Sequence, residues 1–131
     1  MRDEGRDTTA AEYNPEISLW RRVLILEHAE IWIKPGQQAD FEAAIIQGLQ
    51  TVMSRAVGMR GYKLHKCVES PERYVMQISW NTVDDHMVTY RQGPLSPKFR
   101  AMVEPFFAQP PVMQHFELLT KDGPDAEDAR N

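Results

Sequence analysis

Residues 23–57 read VLILEHAEIWIKPGQQADFEAAIIQGLQTVMSRAV, and the hydrophobic period changes once within them, at Lys34-Pro35-Gly36. Before this break, residues 23–33 are apolar and rich in β-branched side chains, which is typical of a strand. After it, from Gln37 to Val57, apolar residues recur at the spacing of one helix face. The stretch therefore predicts a strand followed by an amphipathic helix. The apolar residues of that helix face are Phe41, Ile45, Leu49, Val52, Met53 and Ala56.

The next part of the chain predicts a hairpin. Gly58 and Gly61 bracket a turn, after which residues 61–69 and 73–80 are both strand-like. They are separated by Ser70-Pro71-Glu72, whose length and composition are typical of a hairpin turn.

Two helical segments and a last strand follow the hairpin. Asn81 or Thr82 can cap a short helix that Gly93-Pro94 ends. Ser96 is predicted to be the N-cap of the next helix, with Pro97 at the first helical position, and Pro105 interrupts the last turn of that helix. A final strand is expected over 112–119. The inner side of the short helix is predicted to carry Val83, His86, Met87 and Tyr90, and that of the next helix Phe99, Met102, Val103 and Phe106.

The predicted order is strand, helix, strand, strand, broken helix, strand, so the expected fold class is α+β, a ferredoxin-like βαββαβ arrangement. Its usual form is a four-stranded antiparallel sheet with the helices on one face. Side chains alternate along a strand, so the strand pattern also predicts which residues face the helices. The set expected on the helix side is Ala29, Ile31, Ile33, Tyr74, Met76, Ile78 and Trp80.

The opposite face of the sheet is too apolar for plain solvent exposure and too polar for a dry core. A second subunit that covers this face is therefore expected, and two-fold homodimers are the commonest assembly. The residues predicted on this face are His28, Glu30, Trp32, Val75 and Gln77.

Composition limits the domain count and the class of partner. With 131 residues, we expect a largely flexible N-terminal tail at 1–22, one domain at 23–119 and a flexible acidic C-terminal tail at 120–131. The net charge of −4 comes mostly from the tails, and no basic stripe suits nucleic acid. One cysteine, no signal-like segment and no long apolar run favour a cytoplasmic protein without membrane contact.

Several stretches resemble the antibiotic biosynthesis monooxygenase (ABM) domains of the dimeric α+β barrel superfamily. They are AEIWIKPGQQADFEAA at residues 29–44, GMRGYKLHKCVESPERYVMQISW at residues 58–80, and the weaker PKFRAMVEPFF and QHFELL. The resemblance covers residues 26–119. It implies a homodimer whose sheets pair into a barrel, with a cavity between sheet and helices in each protomer.

The resemblance also implies a chemistry. Relatives include monooxygenases of aromatic polyketide and quinol substrates that use neither metal nor flavin, because the electron-rich substrate itself reduces oxygen. Polyketide-type relatives pair a strand-end Trp, here Trp80, with an Asn four residues earlier, where this chain has Met76. Heme-degrading relatives carry an Asn on the first strand, where this chain has Ala29.

The candidate site residues follow from these patterns. Trp80 is predicted to stack on an aromatic substrate, and His86 to titrate near neutrality and take a phenol proton. Arg91 can orient an anionic group, and His28 and His115 are expected on neighbouring strands where they could meet. No ligand spacing indicates a metal, and no cofactor motif is present. The substrate-binding set is predicted to be Tyr74, Met76, Tyr90 and Phe99.

Two classes of function follow. The first is a cofactor-independent monooxygenase of the ABM type that acts on a small aromatic or quinol-like substrate. The alternative is a non-catalytic dimeric α+β barrel that binds a small hydrophobic ligand. Heme binding or degradation is less favoured, because Ala29 stands where heme degraders have Asn.

Overall fold

The computed structural model of the chain describes residues 25–123. Its centre is one antiparallel sheet with the strand order β2-β3-β1-β4. This order places the first strand beside both the third and the last, as the ferredoxin-like prediction requires. The strands are β1 (Ile25–Trp32), β2 (Met59–Lys66), β3 (Arg73–Trp80) and β4 (Val112–Glu117).

Helical segments connect these strands. Helix α1 (Gln38–Thr51) begins after the turn at Gly36 and continues into a 3-10 turn, Met53–Arg55. A π-helical segment, Asp85–Tyr90, follows β3. Helix α2 (Leu95–Val103) then runs into a second 3-10 turn, Glu104–Phe106, at the predicted Pro105 break. The predicted order of elements and the α+β fold class are confirmed.

Of the N-caps predicted for the two later helical segments, one is confirmed and the other is wrong. The Thr82 hydroxyl accepts a hydrogen bond from the backbone N–H of Asp85 at 3.0 Å, so Thr82 caps its segment as predicted. Ser96 was predicted to cap the next helix, and this is wrong, because α2 begins at Leu95 and places the buried Ser96 side chain inside its first turn.

The helix-facing side of the sheet carries the core. Burial alternates along β1 and β3, so the predicted inner set of both strands is confirmed. Phe41, Ile45 and Leu49 of α1 pack onto this face with Phe99 and Val103 of α2. One buried member of the inner face of β1 is polar: it is Glu27, which is paired across the sheet with Ile78 of β3 and His115 of β4.

The outer face of the sheet is half-buried and mixed in character. His28 pairs with Gln77 and Glu30 with Val75, and Trp32 shares their face as predicted. Strand β4 adds two exposed apolar side chains, Val112 and Phe116. Arg73 forms an ion pair with Glu30 and lies over the Trp32 ring. No helix covers this face within residues 25–123.

Other predicted segments extend past the described part of the chain. The predicted N-terminal tail at 1–22 lies outside it, as do residues 23–24 of the predicted first strand and residues 124–131 of the predicted C-terminal tail. Residues 120–123 are exposed and form neither helix nor strand. Among the described residues, no helix has the length and apolar character needed to cross a membrane.

Candidate functional site

A cavity of about 230 Å³ lies between the inner face of the sheet and the helices. Its apolar walls come from every layer of the fold, with Ala29 on β1, Ile45 on α1, Met76 on β3 and Phe99 on α2. Because these side chains are core residues, the inner wall of the cavity is hydrophobic. The polar groups that reach it are Glu27, His86, Tyr90, Arg91, Ser96, Arg100 and Glu104.

Glu27 is the buried carboxyl group of the cavity. Its side chain is on β1 between sheet and helices, and only 4% of the residue is exposed. Burial raises the pKa of Glu27 to about 7, against the hydrogen bond from Trp80 and the charge of Arg91, which both favour the carboxylate. Near neutral pH, Glu27 therefore exchanges between its acid and its carboxylate.

His86 connects Glu27 to the last strand. Its Nε2 is 3.3 Å from Glu27 Oε1, and its Nδ1 is 2.8 Å from Nε2 of His115 on β4. His86 is 3% exposed. Burial, followed by His115 and Arg91, lowers the pKa of His86 to about 4. The prediction that His86 titrates near neutrality is therefore wrong: its imidazole is neutral at physiological pH, because a buried imidazolium is poorly solvated.

Trp80 contacts Glu27 and His86 from within the hydrophobic core. It is fully buried, its Nε1 donates a hydrogen bond to Glu27 Oε1 at 2.9 Å, and its ring stacks on that of His86 with centroids 5.0 Å apart. Trp80 is not among the side chains that line the cavity. Its geometry serves to hold Glu27 and His86 in place rather than to offer a free aromatic face.

Tyr90 supplies a phenol to the same cavity. Burial, with the nearby Glu27, raises the pKa of Tyr90 to about 12, while a hydrogen bond with Ser96 opposes the shift. The hydroxyl therefore remains protonated and can donate to an oxygen of a bound molecule. Ser96, which lies in the first turn of α2, also reaches the cavity.

The exposed rim of the cavity is charged. Arg91 and Arg100 line it together with Glu104 and Pro111, and these four residues are all exposed. Arg100 and Glu104 form an exposed ion pair with an Nε–Oε2 distance of 3.7 Å. The exposed rim thus offers two guanidinium groups to a bound molecule.

The predicted site residues are distributed unevenly around this cavity. Met76, Tyr90, Phe99 and His86 line it, and so does Arg91. Tyr74 lies elsewhere on the inner face, where its hydroxyl donates to Glu42 Oε2 at 2.6 Å, tying β3 to α1.

The expected meeting of His28 and His115 does not occur. The two lie on opposite faces of the sheet: His28 packs edge-on against Phe116 on the outer face, while His115 turns inward to His86. The partner of His115 is therefore a histidine of the π-helical segment rather than one of the neighbouring strand.

The sequence pattern offered Glu27 only as a conceivable metal ligand with His28 and His115, and did not predict it as a catalytic or substrate-binding residue. The sequence did contain an indication of its position. Side chains alternate along a strand, so Glu27 falls on the same side of β1 as the inner residues Ala29, Ile31 and Ile33. A carboxylate at an inward position of a strand is rare enough to mark a functional candidate.

Metal ligation does not follow from this cluster. Within residues 25–123, no group of three His, Cys, Asp or Glu side chains is placed to hold a metal ion. The two ring nitrogens of His86 point to different partners, Glu27 and His115, so the three side chains do not converge on one point.

Two similar proteins match this chain over about three quarters of its length. A structure from Bordetella bronchiseptica, described as a candidate antibiotic biosynthesis monooxygenase, is 41% identical, with a TM-score of 0.69, covering 73% of this chain and 97% of its own. The uncharacterized protein YczJ of Bacillus subtilis is 29% identical over 97 residues, which are 72% of this chain and 98% of YczJ.

A more distant structure agrees in fold alone. A Nitrosomonas europaea protein, described in the same terms as the Bordetella one, is 16% identical with a TM-score of 0.64, covering 76% of this chain and 93% of its own. The sequence profile of the family named antibiotic biosynthesis monooxygenase matches residues 24–105. The chain therefore belongs to the antibiotic biosynthesis monooxygenase family.

Proposed function

We propose that the chain is a monooxygenase that oxidises a small, electron-rich phenol or quinol bound in the cavity, with Glu27 as the general base. The observation that carries this proposal is a buried carboxyl group with a pKa near 7 that faces an apolar chamber. Such a group is matched to proton abstraction at neutral pH. Membership of the family supports the same class of reaction.

The apolar walls favour the chemistry in two ways. They exclude water from the deprotonated substrate, and they contact the flat face of an aromatic ring, which gains free energy from burial. The volume of about 230 Å³ is below the ~300–1,000 Å³ typical of pockets for drug-sized ligands, so we expect a substrate of one or two rings.

The proposed reaction balances without a further reductant. Glu27 takes a proton from the substrate, whose resulting anion passes one electron to O₂. The two radicals combine into a peroxide at the activated carbon, which takes back a proton. Loss of water then leaves a carbonyl, so a ring C–H and the phenol O–H, together with O₂, give the two C=O groups of a quinone and H₂O.

Three other side chains have defined parts in this proposal. Tyr90 donates a hydrogen bond to the oxygen on which negative charge develops, because its phenol keeps its proton. Trp80 and His86 hold Glu27 in position by the contacts described above. The role of base passes from His86, where the sequence placed it, to Glu27, because His86 is too weakly basic at a pKa of about 4.

Oxygen consumption tests the proposal. Wild-type protein is mixed with a panel of hydroquinones, naphthols and anthrones, and the transfer of ¹⁸O from ¹⁸O₂ to the product is followed by mass spectrometry. We expect uptake with at least one substrate and a loss of 10²-fold or more in kcat for Glu27→Gln. Glu69→Gln, in the exposed hairpin turn, is the matched control and keeps full activity. Absence of uptake with every compound contradicts the proposal.

A second function is favoured by two apolar positions of the cavity. Ala29 and Met76 both line it, and both stand where the resemblance expects Asn in catalytic relatives. A chamber without these amides suits a carrier or sensor of a hydrophobic ligand. Calorimetric binding of the same panel without oxygen uptake would support this alternative.

We also propose that the chain acts as a homodimer joined through the outer face of the sheet. Apolar side chains that are half-buried or exposed, among them Trp32, Val75 and Phe116, lie on this mixed face and support the proposal, since exposed apolar surface on a small domain marks an interaction site. A stable interface of this kind buries about 1,600 Å² in total.

A further inference from the structure

A chain of three side chains links the cavity to the last strand of the sheet. Glu27 and His86 are each less than 5% exposed, whereas His115 on the edge strand β4 is only half-buried. The two contacts of the chain measure 3.3 Å and 2.8 Å. We infer that His86 and His115 are positioning residues that form a proton relay, through which Glu27 exchanges its proton with solvent while substrate fills the cavity.

The relay requires two hydrogen-bond arrangements, and the geometry permits both. A neutral imidazole has one N–H donor and one acceptor nitrogen, so His86 must donate to one neighbour and accept from the other. When Glu27 is a carboxylate, His86 Nε2–H donates to it and Nδ1 accepts from His115 Nε2–H. When Glu27 is an acid, its O–H donates to His86 Nε2, and Nδ1–H donates to His115 Nε2.

Passage from the second arrangement to the first moves one proton and no electrons. The Glu27 proton goes to His86 Nε2, the His86 Nδ1 proton goes to His115 Nε2, and the His115 Nδ1 proton goes to water. Glu27 is left as a carboxylate, ready to act as a base. This use of the relay rests on the proposed function, in which only the carboxylate form accepts a substrate proton.

The other polar groups around Glu27 do not replace the relay. Trp80 from β3 has a donor only, so its hydrogen bond keeps one direction in both arrangements. Tyr90 from the π-helical segment retains its proton. The charge of Arg91 acts on Glu27, His86 and His115. The charge of Arg100, with that of Arg91, acts on Tyr90. Ser96 from α2 is the hydrogen-bond partner of Tyr90.

Histidine tautomers give a direct readout of this proposal. The side-chain ¹⁵N spectra of the full chain are recorded from pH 5 to 9, together with the ¹³C carboxyl signal of Glu27. We expect His86 to change from the Nδ1–H to the Nε2–H tautomer with the same midpoint as Glu27. A His86 tautomer that stays constant while Glu27 titrates overturns the relay.

Variants at the outer end of the chain separate the relay from a merely structural contact. His115→Phe removes the terminal nitrogen, whereas His115→Gln keeps an amide that can donate and accept. We expect His115→Phe to leave Nδ1 of His86 without a partner, so that the tautomer change becomes incomplete and the acid limb of the kcat/KM profile moves upward by about one pH unit. His115→Gln, whose amide can donate to or accept from Nδ1 but cannot pass a proton on, should restore much of both without restoring proton exchange with solvent. His28→Gln, on the opposite face, is the matched control and changes neither.

The outcomes also separate this proposal from the proposed function. The tautomer measurement needs no turnover, so coupled titration in a protein that consumes no oxygen supports the relay and contradicts the monooxygenase. Conversely, an active protein whose pH profile is the same in wild type, His115→Phe and His28→Gln overturns the relay and leaves the monooxygenase standing.

Discussion

At the scale of single residues, burial changes the pKa of Glu27 and with it the proton transfer that this side chain can perform. An exposed glutamate is ionised at neutral pH, but the inward parity of residue 27 on β1 puts this carboxyl group under the helices. One donor, the indole of Trp80, favours the charged form and offsets only part of the desolvation. The result is a group that titrates near pH 7 and that makes the folded state sensitive to pH.

The variant Glu27→Gln should reveal this sensitivity. Between pH 4.5 and about 7 the folded chain holds a proton that the unfolded chain has lost, so ionisation of Glu27 lowers stability as pH rises through this range. Glutamine keeps an acceptor for Trp80 and adds a donor toward His86. We expect Glu27→Gln to gain about 2–3 kcal/mol over wild type at pH 8, and much less at pH 5.

Urea unfolding at the two pH values measures this difference. His86 has the opposite effect on stability, because its lowered pKa makes stability fall as pH drops from 6.5 toward 4. Wild type and variant share this effect, so the difference between them at each pH does not contain it. Glu69→Gln in the exposed hairpin turn serves as control. An equal difference from wild type at both pH values would show that Glu27 titrates as an ordinary carboxyl group.

Trp80 should matter for charge as well as for packing. Trp80→Phe removes the indole N–H that donates a hydrogen bond to Glu27, and it leaves a small void in a fully buried position. We expect a loss of about 2–4 kcal/mol, larger at pH 8 than at pH 5, because the missing hydrogen bond is worth more to a carboxylate than to an acid. The midpoint of the Glu27 ¹³C titration should move upward.

Trp32→Phe is the control for Trp80, since Trp32 is half-buried on the outer face and contacts Arg73 instead. Trp32 also lies on the face that the proposed homodimer covers, so only the pH dependence is compared, and the cost of Trp32→Phe should be the same at both pH values. A Trp80→Phe variant with no pH dependence would mean that the indole acts by packing alone.

At the scale of elements, the sequence predicted the strands and helices well and the details of the π-helical segment poorly. Hydrophobic period identified α1, and composition and turn residues together identified β1 and the hairpin, because these signals are local in the sequence. The short helix predicted after Asn81 or Thr82 is expected to turn Val83 and Met87 inward beside His86 and Tyr90. Only His86 and Tyr90 are buried, while Met87 is half-buried and Val83 is exposed.

The reason lies in hydrogen bonding that periodicity does not reveal. The backbone N–H of Arg91 reaches the carbonyl of His86, five residues back, at 3.0 Å, and this wider turn rotates the side chains away from α-helical positions. The polar contacts of the site were hidden for a related reason. Which histidine His115 contacts depends on the sheet face it occupies and on where the π-helical segment packs. The residue spacing along a strand indicates the sheet face, but it does not indicate where the π-helical segment packs.

Gly58 lies in the turn before β2, next to the start of the π-helical segment, and its substitution tests how tightly the two are packed. It adopts φ +82°, and a Cβ there would lie 2.2 Å from Asp85 Oδ2, at the start of the π-helical segment. Its carbonyl accepts the N–H of Asn81 at 2.8 Å, just after β3. We expect Gly58→Ala to cost about 2–4 kcal/mol in urea unfolding and to reduce oxygen uptake, because both the turn and Asp85 must shift.

Gly36→Ala isolates the backbone part of that cost. Gly36 has nearly the same φ, +80°, but a Cβ there would meet nothing within 4 Å. Its substitution should cost about 1–2 kcal/mol and leave activity unchanged. If the two variants lose the same stability, the contact with Asp85 contributes nothing and the positive φ is the whole cost.

At the scale of the whole molecule, the outer face of the sheet carries the last prediction. Phe116 is 48% exposed beside His28 on this face, and with Val112 it forms the apolar part of edge strand β4. Under the proposed homodimer, two such faces cover each other. Wild-type protein in analytical ultracentrifugation should therefore have twice the 15.1 kDa mass of one chain.

Phe116→Lys should break this assembly, because it places a cation where two apolar faces meet, and burial of an unpaired charge costs several kcal/mol. We expect a monomer at micromolar concentration. Val68→Lys is the matched control: Val68 is 87% exposed in the hairpin turn, away from the sheet face, so the variant should remain a dimer. A monomeric wild type, or a Phe116→Lys dimer as tight as that of Val68→Lys, would contradict the proposed interface.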